Sequence, residues 1–284
     1  MNKKVKIVEC PRDAMQGLNQ IVPTKLKAEY INSLIKVGFE YIDFGSFVSS
    51  KIVPQMSDTI DVLKLLNIDS NTSLLAVVLN KKGAEVAASF DEIKILGYPF
   101  SISEIFQKKN SNKSIKESLH VVDQIIEICY QNNKKPLIYF SMAFGNPYNE
   151  VWDKSILLNY INQIKNKGVN LISLADTIGN SDTNSIRDIF YSCAVNFTDL
   201  DIGLHLHSHP SDSFNKIQSA WQSGCRRFDV AISGYGGCPF AQDQLVGNIS
   251  TQQLLNFLAK NNLEHSLDLL ALENSYNKSR DIFD

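Results

Sequence analysis

Short apolar runs alternate with longer stretches of helical period almost from one end of the chain to the other. The strand-like runs cover residues 5–9, 41–44, 74–78, 92–96, 136–140, 171–174, 202–207 and 228–231. Between them, residues 25–37, 58–66, 115–131, 153–167, 183–194 and 212–223 carry apolar side chains at three- and four-residue intervals, the spacing of one buried helix face. Thr24, Ser57 and Ser211 stand where N-caps are expected, and Gly38, Gly168 and Gly224 where helices stop. Eight strand–helix units in one chain of 284 residues predict an α/β fold, a (β/α)8 TIM barrel, with a doubly wound open sheet as the competing architecture. No Pro/Gly/Ser-rich linker or shift of composition divides the chain, so residues 1–284 read as a single domain. Residues 110–113 form a polar loop, and the tail adds helical stretches at 252–259 and 267–276 that could pack across the barrel.

Composition narrows the partners. A net charge of −2 with no basic block argues against nucleic acid or an anionic membrane. No run approaches the ~20 apolar residues that cross a bilayer. The N-terminus passes directly into the first apolar run, with neither a signal-peptide core nor a transit segment, which predicts a cytoplasmic location. The five cysteines show no CxxC spacing, against a disulfide framework or a structural zinc site. Cys129, Cys193 and Cys225 read as packing residues in helical contexts, while Cys10 and Cys238 sit beside polar motifs.

The chemistry is suggested by His205-Leu206-His207, at the end of the seventh strand. Alternation along a strand turns both imidazoles to one side, where two neutral rings can hold one divalent metal. In a closed barrel, Arg12 and Asp13 after strand 1, the histidines on strand 7 and Asn248 after strand 8 all open on the same mouth. Asp13, His205, His207 and Asn248 supply two nitrogens and two oxygens without a thiolate, a set suited to Mg²⁺ or Mn²⁺. Taken singly, Asp13 could be a turn residue and Asn248 a helix N-cap. Arg12 is suited to a developing oxyanion or to a salt bridge with Asp43 or Glu9. Gln16 could bond the same site or end the turn, and Asp176 is either a carboxylate supporting the site or a cap of the following helix. Glycines 234, 236 and 237 make a loop that could close over a ligand carrying Cys238, although such a thiol alone is more often structural.

These motifs, in order, resemble the 3-hydroxy-3-methylglutaryl-CoA lyase family. The residues that carry the likeness are Val5 to Glu9 with Pro11-Arg12-Asp13, then Ser46-Phe47-Val48-Ser49 with Lys51 and Val53-Pro54-Gln55-Met56. Asp176-Thr177-Ile178-Gly179, Gly236-Gly237-Cys238-Pro239, Ala241-Gln242 and Gly247-Asn248 follow. The resemblance implies a divalent-metal-dependent barrel lyase that splits 3-hydroxy-3-methylglutaryl-CoA into acetyl-CoA and acetoacetate. It implies Asp13, His205, His207 and Asn248 as metal ligands, Arg12 as the enolate-stabilising arginine and Cys238 as the mobile-loop cysteine. Asp176 matches an active-site aspartate, Asp43 stands where glutamate is usual, and Gln16 and Ser46 are expected to touch substrate. An acyl-CoA partner and a homodimer follow by analogy.

Several residues depart from that pattern. Cys10 and Ala14-Met15 replace glycine and a Gly-Leu pair, Gly17-Leu18-Asn19 replaces a more polar run, and Asn146 stands where cysteine is common. Ser208-His209-Pro210 follows His207 where an aspartate is usual, which leaves His209 as a replacement partner or an exposed loop residue. None removes an expected metal ligand. The alternatives are a lyase or condensing synthase acting on a different 3-hydroxyacyl-CoA or hydroxy acid, and a metal-binding barrel without catalysis.

Overall fold

The computed structural model describes residues 4–68, 72–237 and 246–284. Its eight strands are β1 (Lys6–Glu9), β2 (Tyr41–Ser46), β3 (Ser73–Val77), β4 (Ile93–Ser101), β5 (Lys135–Ser141), β6 (Leu171–Asp176), β7 (Asp201–Leu206) and β8 (Arg227–Val230). They form a closed barrel in sequence order, and the β1–β8 pairing is parallel, from Lys6 opposite Arg227 to Glu9 opposite Val230. Closure excludes the open doubly wound sheet and follows the predicted strands one for one.

Side-chain parity divides the core in two. Val8, Tyr41, Leu75, Val77, Ile95, Leu137, Tyr139 and Leu171 pack together inside the barrel. Their neighbours in sequence, such as Ile7, Ile42, Leu74, Leu96, Ile138 and Ile172, join the larger layer between strands and helices. Both faces of a parallel strand are therefore apolar, which is why these segments read as unbroken hydrophobic runs rather than alternating ones.

The helices follow the predicted periods with local changes. The stretch at 115–131 is the Ile115–Gln131 helix, opened by a capping box of Ser114 and Glu117. The expected caps lie one or two residues away from the true ones, which are Pro23, Asp58 and His209. The stretch at 58–66 shortens to Thr59–Leu63, after a 3-10 turn at Pro54–Met56. Three helices were hidden by their shortness: Pro11–Gln16, Lys81–Ala88 and Glu104–Ser111. The polar run 110–113 is where Glu104–Ser111 ends, on an Asn112 in left-handed conformation, just before the Ser114 cap. Cys225 is buried as expected but lies between the Pro210–Gln222 helix and β8, not in a helix. The tail forms Thr251–Lys260 and Leu269–Phe283. The last packs against the Thr24–Val37 helix and stacks Phe283 on Tyr235 at 4.2 Å.

Glu9, read as a possible partner of Arg12, faces the other way. It lies on the outer parity of β1, where its carboxylate accepts the Ile232 N–H at 2.7 Å and the Thr251 hydroxyl at 2.6 Å, tying the strand to the start of the Thr251–Lys260 helix. Full burial pushes this carboxyl up to about 8, against the pull of those two donors. Because its folded value exceeds the ordinary glutamate range, the folded state holds a proton that the unfolded chain has released between about pH 4.5 and about 8. Stability therefore falls as pH rises through that window. Glu9→Gln can keep both hydrogen bonds, its amide donating to Thr251. Thermal melts from pH 6 to 8.5 should show the wild type losing several degrees relative to this variant; parallel curves would show that Glu9 is already ionised.

Candidate metal centre at the barrel mouth

Arg12 and Asp13 do not stand on a loose turn. Pro11 starts a short helix directly after β1, and its fixed φ suits the first helical position. The turn aims both side chains into the mouth, where Arg12 and Asp13 are buried. Arg12 grips Asp43 of β2 through Nε, 3.1 and 3.2 Å from the two carboxylate oxygens, and through Nη2 at 2.5 Å. Its Nη1 donates to Asp13 Oδ1 at 3.1 Å and to Gln16 Oε1 at 2.8 Å. Four of its five N–H groups are thus committed, leaving one on Nη2 for a ligand.

Opposite stand the imidazoles of His205, on the inner parity of β7, and of His207, on the same parity one residue past its end. His205 Nε2 lies 4.0 Å and His207 Nε2 3.8 Å from Asp13 Oδ2. Asn248 arrives by an antiparallel bridge to His207, fastened by Ser208 N–H to Gly247 O at 2.9 Å and Ile249 N–H to Leu206 O at 3.2 Å. Its amide nitrogen donates to Asp13 Oδ2 at 2.8 Å and to the Tyr235 carbonyl at 2.9 Å. Both neighbours are acceptors, so the amide cannot be turned round. That leaves Asn248 Oδ1 buried without a partner, as is His207 Nε2, whose Nδ1 lies 3.1 Å from the Thr177 carbonyl.

Ligand atoms of Asp13, His205 and His207 all lie within 4.8 Å of one another. Buried electron-pair donors with no hydrogen-bond partner cost free energy unless something satisfies them. A divalent cation is what this donor set fits. Electrostatics agree. Burial opposes ionisation of Asp13, but Arg12 foremost, with His205, which Asp229 and Asp13 raise against its own burial, and the Asn248 amide, outweighs it and holds the carboxyl down to about 2. Burial, with His205 beside it, lowers His207 to about 4, which keeps it neutral as a ligand must be. Burial pushes Asp43 up to about 6 against the attraction of Arg12, so it stays mainly ionised at neutral pH.

A cavity of about 110 Å³ opens on this set. Arg12, Asp13, Gln16, His205 and His207 line its polar end, and Val48, Ile52, Val53, Leu79 and Phe106 its apolar wall. Ser46 also reaches it, its hydroxyl 3.3 Å from the Val77 carbonyl and accepting the Val48 N–H at 3.2 Å. Gln16 lines the cavity with its amide already bonded to Arg12 and Asp13. Asp43 acts from behind Arg12. Asp176 is not brought to the cavity: it ends β6 on the outer parity, one residue after the cavity-lining Ala175. There it accepts the Asn180 N–H at 3.1 Å and the Ser181 N–H and hydroxyl at 3.0 and 2.5 Å, with Lys216 at 3.5 Å. His209 is exposed and caps the next helix through Ser211, so it does not orient a ligand. Cys238 lies outside the described residues. Sequence reasoning missed Asp229, which faces His205 across the β7–β8 pairing; the signal was its inward parity on β8.

The fold and site together define a TIM barrel with a candidate metal site of nitrogen and oxygen donors at its C-terminal mouth. The HMGL-like family model matches residues 4–277, and the chain belongs to that family. It is 35% identical over 94% of its length, and 79% of theirs, to the cytoplasmic 3-hydroxy-3-methylglutaryl-CoA lyase of Danio rerio. The solved HMG-CoA lyase of Bacillus subtilis superposes with a TM-score of 0.92 at 30% identity, covering 99% of this chain and 94% of that one. An HMG-CoA lyase of Acinetobacter baumannii, solved with coenzyme A and 3-methylmalate, gives 0.91 at 26% identity, with coverage of 99% and 91%.

The approach of Asn248 depends on a bare backbone at Gly236. A Cβ there would lie 2.7 Å from Asn248 Nδ2 and 2.9 Å from both the Ala14 Cα and the Asp13 carbonyl, at a φ of +103°. Gly236→Ala should therefore weaken Mn²⁺ binding at least tenfold by calorimetry while the far-ultraviolet circular dichroism keeps its barrel signature. Unchanged affinity would remove Asn248 from the ligand set.

Proposed function

We propose that this chain is a divalent-metal-dependent carbon–carbon lyase that cleaves 3-hydroxy-3-methylglutaryl-CoA to acetyl-CoA and acetoacetate. The observation that carries the proposal is the convergence of Asp13, both imidazoles and Asn248 beside an arginine that keeps one donor free. The names of its relatives supply the substrate. Asp13, His205 Nε2, His207 Nε2 and Asn248 Oδ1 would hold the cation. Bound there, Mg²⁺ or Mn²⁺ supplies a Lewis acid for the oxygens of the hydroxy acid end.

In the reaction the tertiary hydroxyl loses its proton, the bond between C2 and C3 breaks, C3 becomes the ketone of acetoacetate, and C2 leaves as the enolate of acetyl-CoA. That carbon then takes up a proton, so the reaction balances without a co-reactant. Arg12 serves the enolate oxygen. Its rigid mounting on Asp43, Asp13 and Gln16 places the remaining N–H before charge develops, the condition under which such a donor accelerates most. The apolar wall keeps water from the thioester side. Gln16 and Ser46 border the substrate. Cys238, carried by the glycine loop, is the acid that protonates the enolate carbon. Asp176 contributes by position: it fixes the turn that holds the Thr177 carbonyl against His207. A cytoplasmic homodimer belongs to the same proposal; among the described residues no helix is long and apolar enough to cross a membrane.

Purified protein incubated with Mg²⁺ or Mn²⁺ and the thioester should release acetoacetate, and a chelator should abolish the release. Turnover of a different 3-hydroxyacyl-CoA instead would move the substrate assignment to the alternative. Arg12→Gln should lower kcat about 10²- to 10³-fold, and Cys238→Ser should depress turnover with metal affinity unchanged. Full activity in the cysteine variant would assign the proton to another group.

A further inference from the structure

Beneath the metal set, the barrel interior holds a second polar cluster that the reaction above does not use. Arg227 and Asp229 both point inward from β8 and are almost fully buried. The guanidinium fills the axis because Gly203 has no side chain; a Cβ there would lie 2.6 Å from Arg227 Cζ. It is fixed by Asp201 Oδ1 at 3.0 Å, Ser173 Oγ at 3.0 Å and the Ile172 carbonyl at 2.5 Å. Asp229 Oδ1 faces it at 3.8 Å, while Asp229 Oδ2 faces His205 Nδ1 at 3.4 Å. These two carboxylate oxygens and that ring nitrogen have no hydrogen-bond partner although all are buried.

We propose that Asp229, oriented by Arg227, is a positioning residue that keeps the ring proton of His205 on Nδ1 and so leaves Nε2 free to face the metal set. It rests on the metal-centre reading above. A neutral imidazole carries one proton, and the nitrogen facing a carboxylate is the one that holds it. The opposite nitrogen then has a lone pair, on the Asp13 side. His207 is set the same way by the Thr177 carbonyl, so each ring has a backstop of different kind: one neutral, one anionic. Cys10 Sγ also lies within 4.8 Å of donor atoms on His205 and Asp229, which raises a rival arrangement with a cation in this pit. Arg227 argues against it, because a fixed guanidinium already neutralises Asp229 there. Burial also raises the Cys10 thiol well above its ordinary value, keeping it protonated.

Asp229→Asn tests the assignment without changing shape. Arg227 draws the amide oxygen to its side, so the NH₂ group lands on His205 Nδ1 and forces the ring proton to Nε2. In metal-free protein labelled with ¹⁵N-histidine, read at a pH high enough for the ring to be neutral because Asp229 and Asp13 raise His205 against its burial, and with the His205 signals assigned by loss in His205→Gln, the wild-type ring should be the Nδ1–H tautomer and the Asp229→Asn ring the Nε2–H tautomer. Calorimetric Mn²⁺ affinity should fall about 10- to 100-fold in Asp229→Asn, and Cys10→Ala should leave tautomer and affinity as they were. A wild-type ring protonated on Nε2 overturns the proposal, as does an Asp229→Asn affinity within about twofold of wild type. A thiolate-to-Co²⁺ charge-transfer band lost in Cys10→Ala overturns it in favour of the rival cation site. If Asp229→Asn does not fold, the wild-type spectrum still decides. A wild type that binds no Mn²⁺ would instead sink the metal-centre reading, with the tautomer still deciding the role of Asp229.

Discussion

The carboxylate of Asp13 is the point on which the mouth of the barrel is organised. One oxygen takes Arg12 and Gln16, and the other takes the Asn248 amide while facing both imidazoles. Those partners come from the turn after β1, from β7 and from the segment after β8. They meet only because β1 and β8 pair and close the sheet. The same carboxylate is thus a structural clasp and the centre of the donor set proposed to hold the cation, and its anionic form serves both. Removing one partner of such a buried, paired charge commonly costs about 3–5 kcal/mol, so losing Asp13 would weaken the mouth as well as the donor set.

Parity decides which polar residues belong to the site. His205 and His207 share a face because they are two apart on one strand, and this much was plain in the sequence. Asp43 is inward by the same rule and reaches Arg12. Asp176 is outward, one residue beyond the inward Ala175, and its carboxylate is taken by the turn and Lys216. The family likeness picked it out as an active-site aspartate, whereas its parity on β6 turns it away from the cavity. Glu9 fails as a partner of Arg12 for the same reason. The eight strands were legible because each is apolar on both faces. The Pro11–Gln16 helix was not, since six polar-rich residues show no period; only Pro11 at its first position hinted at it. Asp229 escaped because a lone acid in a short strand carries no motif, and its meaning appears only opposite His205.

The axis of the barrel carries charge in layers rather than hydrocarbon throughout. Arg227 lies lowest, then Asp229, then His205, and beyond it Asp13 and Arg12, with Tyr139 and the apolar interior packed around them. Each anion has a cation or an imidazole beside it, so no charge is buried alone, the condition that makes such burial tolerable. The glycine at 203 belongs to this scheme. It yields its volume to the guanidinium, trading local packing for an anchored counter-charge deep in the barrel.

An arrangement of this kind does not maximise stability. Unpartnered buried atoms such as His207 Nε2 and Asn248 Oδ1 each cost about 1–3 kcal/mol, and they persist because surrounding contacts fix them. Thr177 holds one ring, Tyr235 and Asp13 hold the amide, and Phe283 stacked on Tyr235 ties that support to the last helix. Contacts that keep these donors from turning toward other partners are what a cation site requires, because donors that had relaxed would have to be pulled back on binding. The last helix, remote in sequence from most of the candidate ligands, is therefore part of the site's support.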